Sequence, residues 1–406
     1  MSAAPGERRA WVRGAGAVTA LGADWPTSVR ALAEGRSAVA PVTRFDVTGF
    51  PSQVAAAIAD LPGGEREDRR LALAERAAAE AWAAAGAPTG RLGVFVGAES
   101  GRATFATVLA LSRAAGGGKT FDHARFGVDA RALAPSVDAA AVSPGAVASA
   151  LAGRYGAEGA ARTVSLACAS GSAAVVEAVR ALRQGVCDVA LAGGVGADVD
   201  PFMLAGFGLL GALTARGTSC PFDVRRDGFV VGEGAAMVVL AVDRAGARAE
   251  VAGVGRTLDA YHLTAPDPEG NGAVRAMRAA LADAGVDPGE VGYVQAHGTS
   301  TPLNDAVEAA ALQRVLHGAG RARVSSVKGA LGHWIAGAGA LGLLCALQAV
   351  EHGVMLPTAG LREPDARCAL QHVMGEAVRG LPVEIALANA FAFGGANSSL
   401  VVRRCA

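Results

Sequence analysis

The sequence predicts an α/β protein with a mainly parallel sheet, and three observations predict it. Short β-rich runs such as GVFVGA (Gly93 to Ala98) and VALAGGV (Val189 to Val195) alternate with Ala-rich helical stretches along the whole chain. Hydrophobic residues make up 51% of the 406 residues but aromatics only 5%, so the core is expected to be built from small side chains with closely approaching backbones. At about 100 to 200 residues per domain, this length suggests two domains or one large duplicated core.

The elements follow in order. Helices are expected at Arg70 to Ala85 and Ser172 to Arg183, apolar on much of their surface, as are helices packed on or between sheets. Between them, Arg113 to Ser143 is irregular, holds a GGGK turn and is expected as a surface excursion or lid. In the second half, EVAGVG near Glu250 opens a strand, AVRAMRAALADAG follows as a helix and VGYVQAHG returns to a strand. The first half's style is thereby repeated, and the division is expected at residues 1–248 and 249–406.

Composition excludes several function classes. Lys plus Arg and Asp plus Glu both total 37, so the molecule lacks the net positive field of a nucleic-acid binder. The six cysteines, Cys168, Cys187, Cys220, Cys345, Cys368 and Cys405, form no CxxC pair, which argues against a zinc ribbon or a disulfide framework and fits a reducing cytoplasm. Arg8, Arg9 and Arg13 are followed by no apolar h-region, so no secretory signal is expected. No run reaches about 18 apolar residues without a charge or Gly break, so no membrane partner is expected.

In TVSLACASGSAAVVEAVRALRQG, the strand-like run Thr163 to Leu166 ends just before Cys168 and a helix opens within a few residues. Backbone N–H groups and the helix dipole at such a turn favour a thiolate, and the turn can supply half of an oxyanion hole. On this segment alone, a buried small hydrophobe is an equal reading. His297 follows the strand-like VGYVQA and leads into GTSTP, whose Thr299, Ser300 and Thr301 bind a polar amide-bearing ligand or cap a helix. Asp305 and Glu308 fall three apart on the next helix, either as dipole charges or as partners for a buried lysine. Lys328 precedes His333 by five residues in SSVKGALGHWIAGAGALG, and a His333 that donates from Nε2 suits charge developing on a thioester or enolate oxygen.

GAGALG (Gly337 to Gly342) matches the dinucleotide fingerprint in letters only, because no strand leads directly into it and no acidic residue ends a second strand some 20 residues on. Close helix packing accounts for it. In IALANAFAFGGANSSLVV, Phe393, Gly394, Gly395 and Asn397 sit between two strand-like runs, as a ligand gate or a tight hairpin.

Together, GAGAVTALG, TRFDVTGFPSQVAAAI, the Cys168 segment, CPFDVRRDGFVVGEGAA, DAYHLTAPDPEG, AHGTSTPLNDAVE, KGALGHWIAGAGA and NAFAFGGANSS resemble the β-ketoacyl-acyl-carrier-protein synthases, in their elongating type II-like branch. The resemblance covers nearly the whole chain. It implies a thiolase fold with a duplicated five-layered α-β-α-β-α core, and a homodimer or a heterodimer with a related subunit. It also implies decarboxylative condensation of an acyl chain with malonyl on acyl-carrier protein. Cys168 matches the acyl-accepting nucleophile, His297 and His333 the pair that polarises the malonyl thioester, and Lys328 the lysine that holds the site, with Glu308 as its ion partner. Phe393 matches the gate beside Gly394 and Gly395, and its N–H completes the oxyanion hole with that of Cys168. Thr299 and Thr301 match the residues that hold the phosphopantetheine arm, which carries the substrate; the resemblance implies no metal or redox cofactor.

The chain departs from the family at NAFAFGGAN, where the usual pattern is NSFGFGGTN, and at SLA before Cys168, where DTA is usual. Glu99 to Pro144 departs most from housekeeping fatty-acid enzymes, which leaves ordinary fatty-acid elongation and a specialised polyketide or polyene pathway both open. Two other classes compete. A chain-length-factor-like partner subunit typically lacks the cysteine kept here, and an initiating synthase has an Asn where His333 stands. Because the family's carrier protein is acidic, a basic patch is expected at the pocket mouth; Arg66, Arg69 and Arg70 are candidates, with a solvated helix face as the plainer reading.

Overall fold

The structure, a computed structural model, describes residues 8–59, 68–136, 142–316 and 321–405. The first half contributes strands β1 (Trp11–Val18), β2 (Ala40–Pro41), β3 (Val54–Ala56), β4 (Leu92–Gly97), β5 (Ala161–Val164), β6 (Val189–Ala197) and β7 (Val231–Ala241). The second contributes β8 (Ala249–Leu258), β9 (Val291–Gln295), β10 (Arg323–Ser325), β11 (Gln371–His372), β12 (Ile385–Phe391) and β13 (Ala396–Arg404). Two strand runs result, β5-β4-β6-β7-β1 and β10-β9-β12-β13-β8, joined where β1 lies antiparallel to β8, with β11 beyond β10.

The runs agree in sense as well as order. Pairing is parallel where β4 meets β5 and β6 and where β9 meets β10 and β12. It is antiparallel at β6/β7, β7/β1, β12/β13 and β13/β8. The sheet is therefore mixed, not mainly parallel as the alternating pattern suggests. Parallel neighbours need a crossover of a dozen or so residues, usually a helix, whereas β12 and β13 are joined by a four-residue turn.

The helices are α1 (Trp25–Ala33), α2 (Arg69–Ala85), α3 (Phe105–Ala114), α4 (His123–Leu133), α5 (Ala146–Tyr155), α6 (Ser170–Arg183), α7 (Pro201–Leu209), α8 (Asn271–Ala284), α9 (Pro302–Val315), α10 (Lys328–Leu331) and α11 (Ala338–His352). α2 and α5 cover the outer face of the first strand run, and α8, with α9 against it, covers that of the second. α6 and α11 touch each other between the two runs, completing the five expected layers. α11 is buried and apolar over nearly its whole surface, whereas α6 keeps a polar edge of Glu177, Arg180 and Arg183.

Small residues make this layering possible. A Cβ at Gly14 or Gly253 would run into the carbonyl oxygen of Ala81 or Ala280, so β1 and β8 each admit their covering helix at backbone distance. GAGALG serves the same purpose: a Cβ at Gly339 would lie 2.7 Å from Ser172 N, where α11 crosses α6. The stretch Ile335–His352 is long and apolar enough to cross a membrane, but 83% of it is buried inside the protein, as a core helix is.

The excursion at Arg113 to Ser143 is more regular than its sequence suggests. It lies on the surface and includes the end of α3 and all of α4, neither of which buries a residue; residues 137–141 lie outside the described residues.

Candidate active site

Cys168 sits on a 3-10 turn, Ala167–Ala169, after β5 and at the start of α6. Ala167 is held at φ 46°, a left-handed conformation that costs a residue with a Cβ of order 1 kcal/mol or more. Ser170 holds the turn: its hydroxyl donates to Ala167 O at 2.6 Å and accepts from Leu166 N–H at 2.8 Å. Glu99 stands beside it, accepting from Ser165 Oγ at 2.8 Å. Burial pushes the Cys168 thiol up to about 12, with Glu99 adding to the rise, while the Lys328 charge and the N–H groups of Phe393 and Cys168 favour the thiolate. The turn thus supplies the expected N–H groups, but desolvation outweighs them and the thiol is protonated at neutral pH.

His297 follows β9 after one residue. Its N–H and that of Gly298 donate to the Glu308 carboxylate, each at 2.8 Å. The Lys328 ammonium donates to His297 O and lies 3.4 Å from His297 Nδ1. An ammonium only donates, so Nδ1 accepts and the ring proton rests on Nε2. In His333, Nδ1 accepts from Ile335 N–H at 3.2 Å, which again leaves the proton on Nε2. Among the described residues nothing partners that buried Nε2. Burial, reinforced by the Lys328 charge, holds both imidazoles well below the ordinary histidine value, so both are neutral. Their rings meet edge to face at 5.5 Å.

Glu308 is not the direct ion partner of Lys328 that the resemblance implies. Its oxygens are taken by the two backbone N–H groups and by Asn389 Nδ2 at 3.4 Å, and it acts on Lys328 only through space. Burial pushes Lys328 down to about 8 and Glu308 up to about 7. Asp305 likewise braces backbone, accepting from Phe222 N–H at 2.8 Å and from the N–H of Ser300, a residue at φ 68°, at 3.1 Å. The loop it fixes presents Thr299 Oγ1 2.9 Å from Thr301 Oγ1.

Phe393–Gly395 form the turn between β12 and β13, with Gly394 at φ 83°. Its fixed points are Gly394 N–H donating to Leu263 O at 2.7 Å and Asn397 Nδ2 donating to Asp259 Oδ1 at 2.7 Å. The Phe393 N–H is directed at Cys168.

These loops enclose a cavity of about 340 Å³ lined by Cys168, His297, His333, Phe393, Thr299 and Thr301 among others. Seven residues picked out from the sequence, these six and Asn397, therefore line one cavity. Lys328, Glu308, Gly394 and Gly395 do not line it, and stand behind it or hold its loops. Sequence reasoning passed over Phe207, Phe229 and Phe391, which continue the histidine pair into a chain of ring contacts, Phe207–Phe229–His333–His297–Phe391, at 5.2, 5.1, 5.5 and 5.9 Å. Glu99 and Asp259 were also passed over as site residues; Asp259 belongs to a segment whose Gly, Pro and Asp content marks a loop. Arg69 and Arg70 do not form a docking patch: Arg69 pairs with the buried Glu233 at 2.7 Å and Arg70 with Asp68 at 2.8 Å. Arg66 lies outside the described residues.

The chain is similar to known proteins along most of its length. The family models described as "Beta-ketoacyl synthase, N-terminal domain" and "Beta-ketoacyl synthase, C-terminal domain" match residues 7–245 and 248–362. The 3-oxoacyl-[acyl-carrier-protein] synthase 2 of Coxiella burnetii is 34% identical, over 98% of this chain and 99% of its own. The ishigamide ketosynthase/chain length factor structure matches with a TM-score of 0.85 at 34% identity, over 98% of this chain and 100% of that one. A type II PKS acyl-carrier protein in complex with its ketosynthase matches with a TM-score of 0.81 at 28% identity, over 98% and 100% of the two chains. Fold and cavity thus define a thiolase-fold acyltransferase. Within that class, the chain belongs to the beta-ketoacyl synthase family.

Proposed function

We propose that this chain condenses an acyl group held on Cys168 with a malonyl unit presented by acyl-carrier protein. The observation that carries this reading is the pair of neutral imidazoles, both protonated at Nε2, in one cavity with the cysteine and with the Nε2 of His333 left unpartnered. Two such donors are matched to an oxygen that gains negative charge, where a carboxylate would repel it.

In the first half-reaction, Cys168 Sγ attacks the carrier's acyl thioester, the carrier thiol leaves with the cysteine's proton, and the N–H groups of Cys168 and Phe393 hold the transient oxyanion. In the second, the malonyl carboxylate departs as carbon dioxide and its bonding pair moves into the thioester carbonyl. His297 and His333 donate to the resulting enolate oxygen. The enolate carbon then attacks the acyl carbonyl, the new C–C bond forms, and the C–S bond to Cys168 breaks with its electron pair on sulfur, which takes a proton from solvent. Lys328 keeps His297 in the required tautomer, Glu308 anchors the His297 backbone, and Thr299 and Thr301 hold the amides of the phosphopantetheine arm. No step calls for a metal or redox cofactor.

The division at 248/249 is supported by the repeated strand order, whose second run opens with β8. A reduced buried thiol at Cys168 suits the cytoplasm. The product enters fatty-acid or specialised polyketide or polyene synthesis. The fold neighbours with a carrier protein or a chain length factor support a carrier partner and a dimer, homomeric or with a related subunit. A chain-length-factor-like role is disfavoured by Cys168 standing in the cavity beside both histidines. Mass spectrometry after incubation with acyl-loaded carrier protein decides the matter: an acyl adduct that disappears in Cys168→Ala is expected, and its absence from the native chain would sink the proposal.

A further inference from the structure

The rim of the cavity is built from leucine. Leu210 and Leu303 line the mouth at 57% and 61% exposure. Leu209, which ends α7, is 91% exposed, and Leu263, whose carbonyl holds the Phe393 turn, is 82% exposed. They come from three separate segments: Leu210 and Leu303 line the opening, Leu209 adjoins Leu210, and Leu263 adjoins Thr264, which also lines it. Large apolar side chains at such exposure, gathered at one place, mark a surface that another molecule covers. The polar groups at the same mouth have the wrong sign for an acidic partner. Asp227 and Asp259 line it, no lysine or arginine does among the described residues, and Arg216 is matched by Asp227 at 3.7 Å.

We infer that these leucines form an apolar collar on which the carrier protein docks, through hydrophobic contact and not through a basic patch. This rests on the condensing reading above. The occupant follows from the position of the collar. The opening it surrounds leads to Cys168, so while a tethered thioester reaches the cysteine the body of its carrier must cover the rim. Of molecules able to cover that surface, the carrier is the one the site's own chemistry obliges to be there. Docking centred on leucine is expected to resist salt, since burial of apolar area carries no ionic-strength term, whereas exposed charge pairs are screened.

The test uses the full chain and malonyl-loaded carrier protein. Leu209→Ser leaves the residues that line the cavity, and Leu263 with the Phe393 turn, in place. The Kd for carrier protein is expected to rise by roughly tenfold in this variant. Turnover of malonyl-pantetheine, which has no carrier body, is expected to stay unchanged. In the native chain the Kd is expected to change by less than about threefold between roughly 0.05 and 0.5 M NaCl. An unchanged Kd in the variant, or a steep loss of binding with salt, overturns the collar. So does a variant that alters only the oligomeric state in light scattering, since the leucines would then cover a second copy. Leucine-dependent binding without turnover of either thioester keeps the collar and sinks the catalytic reading instead, because binding and chemistry are read separately.

Discussion

Replacing His333 by Phe removes one hydrogen-bond donor from the cavity and keeps a ring of similar shape against Phe229 and His297. The magnitude follows from the surroundings of that donor. Its Nε2 is buried without a partner among the described residues, and its tautomer is set by Ile335 N–H, so the donor is aimed before substrate arrives. Losing one preorganised donor of this kind costs about 10² to 10³ in rate, or roughly 3 to 4 kcal/mol of transition-state stabilisation. The variant also orphans the Ile335 N–H, which costs about 1 to 3 kcal/mol of stability, so thermal melting must be recorded alongside. The assay is carbon dioxide release from malonyl-carrier protein, with and without an acyl group on Cys168. His333→Asn, which retains an N–H donor, should lose less than His333→Phe. A Phe variant that folds and decarboxylates within about tenfold of the native rate would refute the donor role.

Cys168→Gln should abolish condensation yet preserve or raise malonyl decarboxylation, since the amide mimics an acylated thiol and both histidines remain; carbon dioxide and ketone product measured together check this. Glu308 has its folded value raised to about 7, so between the ordinary carboxylate range and pH 7 the folded state holds the extra proton and its contribution to stability falls as pH rises. The melting temperature of Glu308→Gln relative to native should therefore improve from pH 5 to pH 8, and a constant difference would contradict the assignment. Because Glu99 raises the Cys168 thiol, Glu99→Gln should speed iodoacetamide alkylation at pH 8 by several-fold; an unchanged rate profile against pH would remove Glu99 from the nucleophile's surroundings.

The parts of the site carried by loops were legible in the sequence, because Gly, Ser, Thr and Pro around Cys168, His297, His333 and Phe393 leave little choice but a turn at the end of a strand. Pairings between distant segments were not. Nothing in the helix spacing of Glu308 says that its oxygens are spent on the His297 and Gly298 N–H groups, and nothing near Arg69 announces Glu233, which comes from β7. The fate of the Cys168 proton was misjudged for a related reason: local turn chemistry is written in neighbouring residues, whereas desolvation comes from the whole surrounding shell. One signal was available and went unread. The strands before α2 and α8 share the letters A-x-V-x-G-x-G, from Ala10 and from Ala249, and those glycines are the ones that admit the covering helices.

Because the two strand runs repeat in order and sense, each loop at the end of one has a counterpart in the other. The connection after β5 carries Cys168, and its counterpart after β10 carries His333. The second residue beyond β4 is Glu99, and the second beyond β9 is His297. A symmetric pair of halves with like side chains at these positions would face its substrate with the same group from both sides and have no means to tell donor from acceptor. Here the backbone keeps the symmetry and the side chains break it, with a thiol and a carboxylate on one side and two imidazoles on the other. The site is polarised by two substitutions' worth of difference on a twice-used frame, and that polarity lets one cavity both hold an electrophile and create a nucleophile.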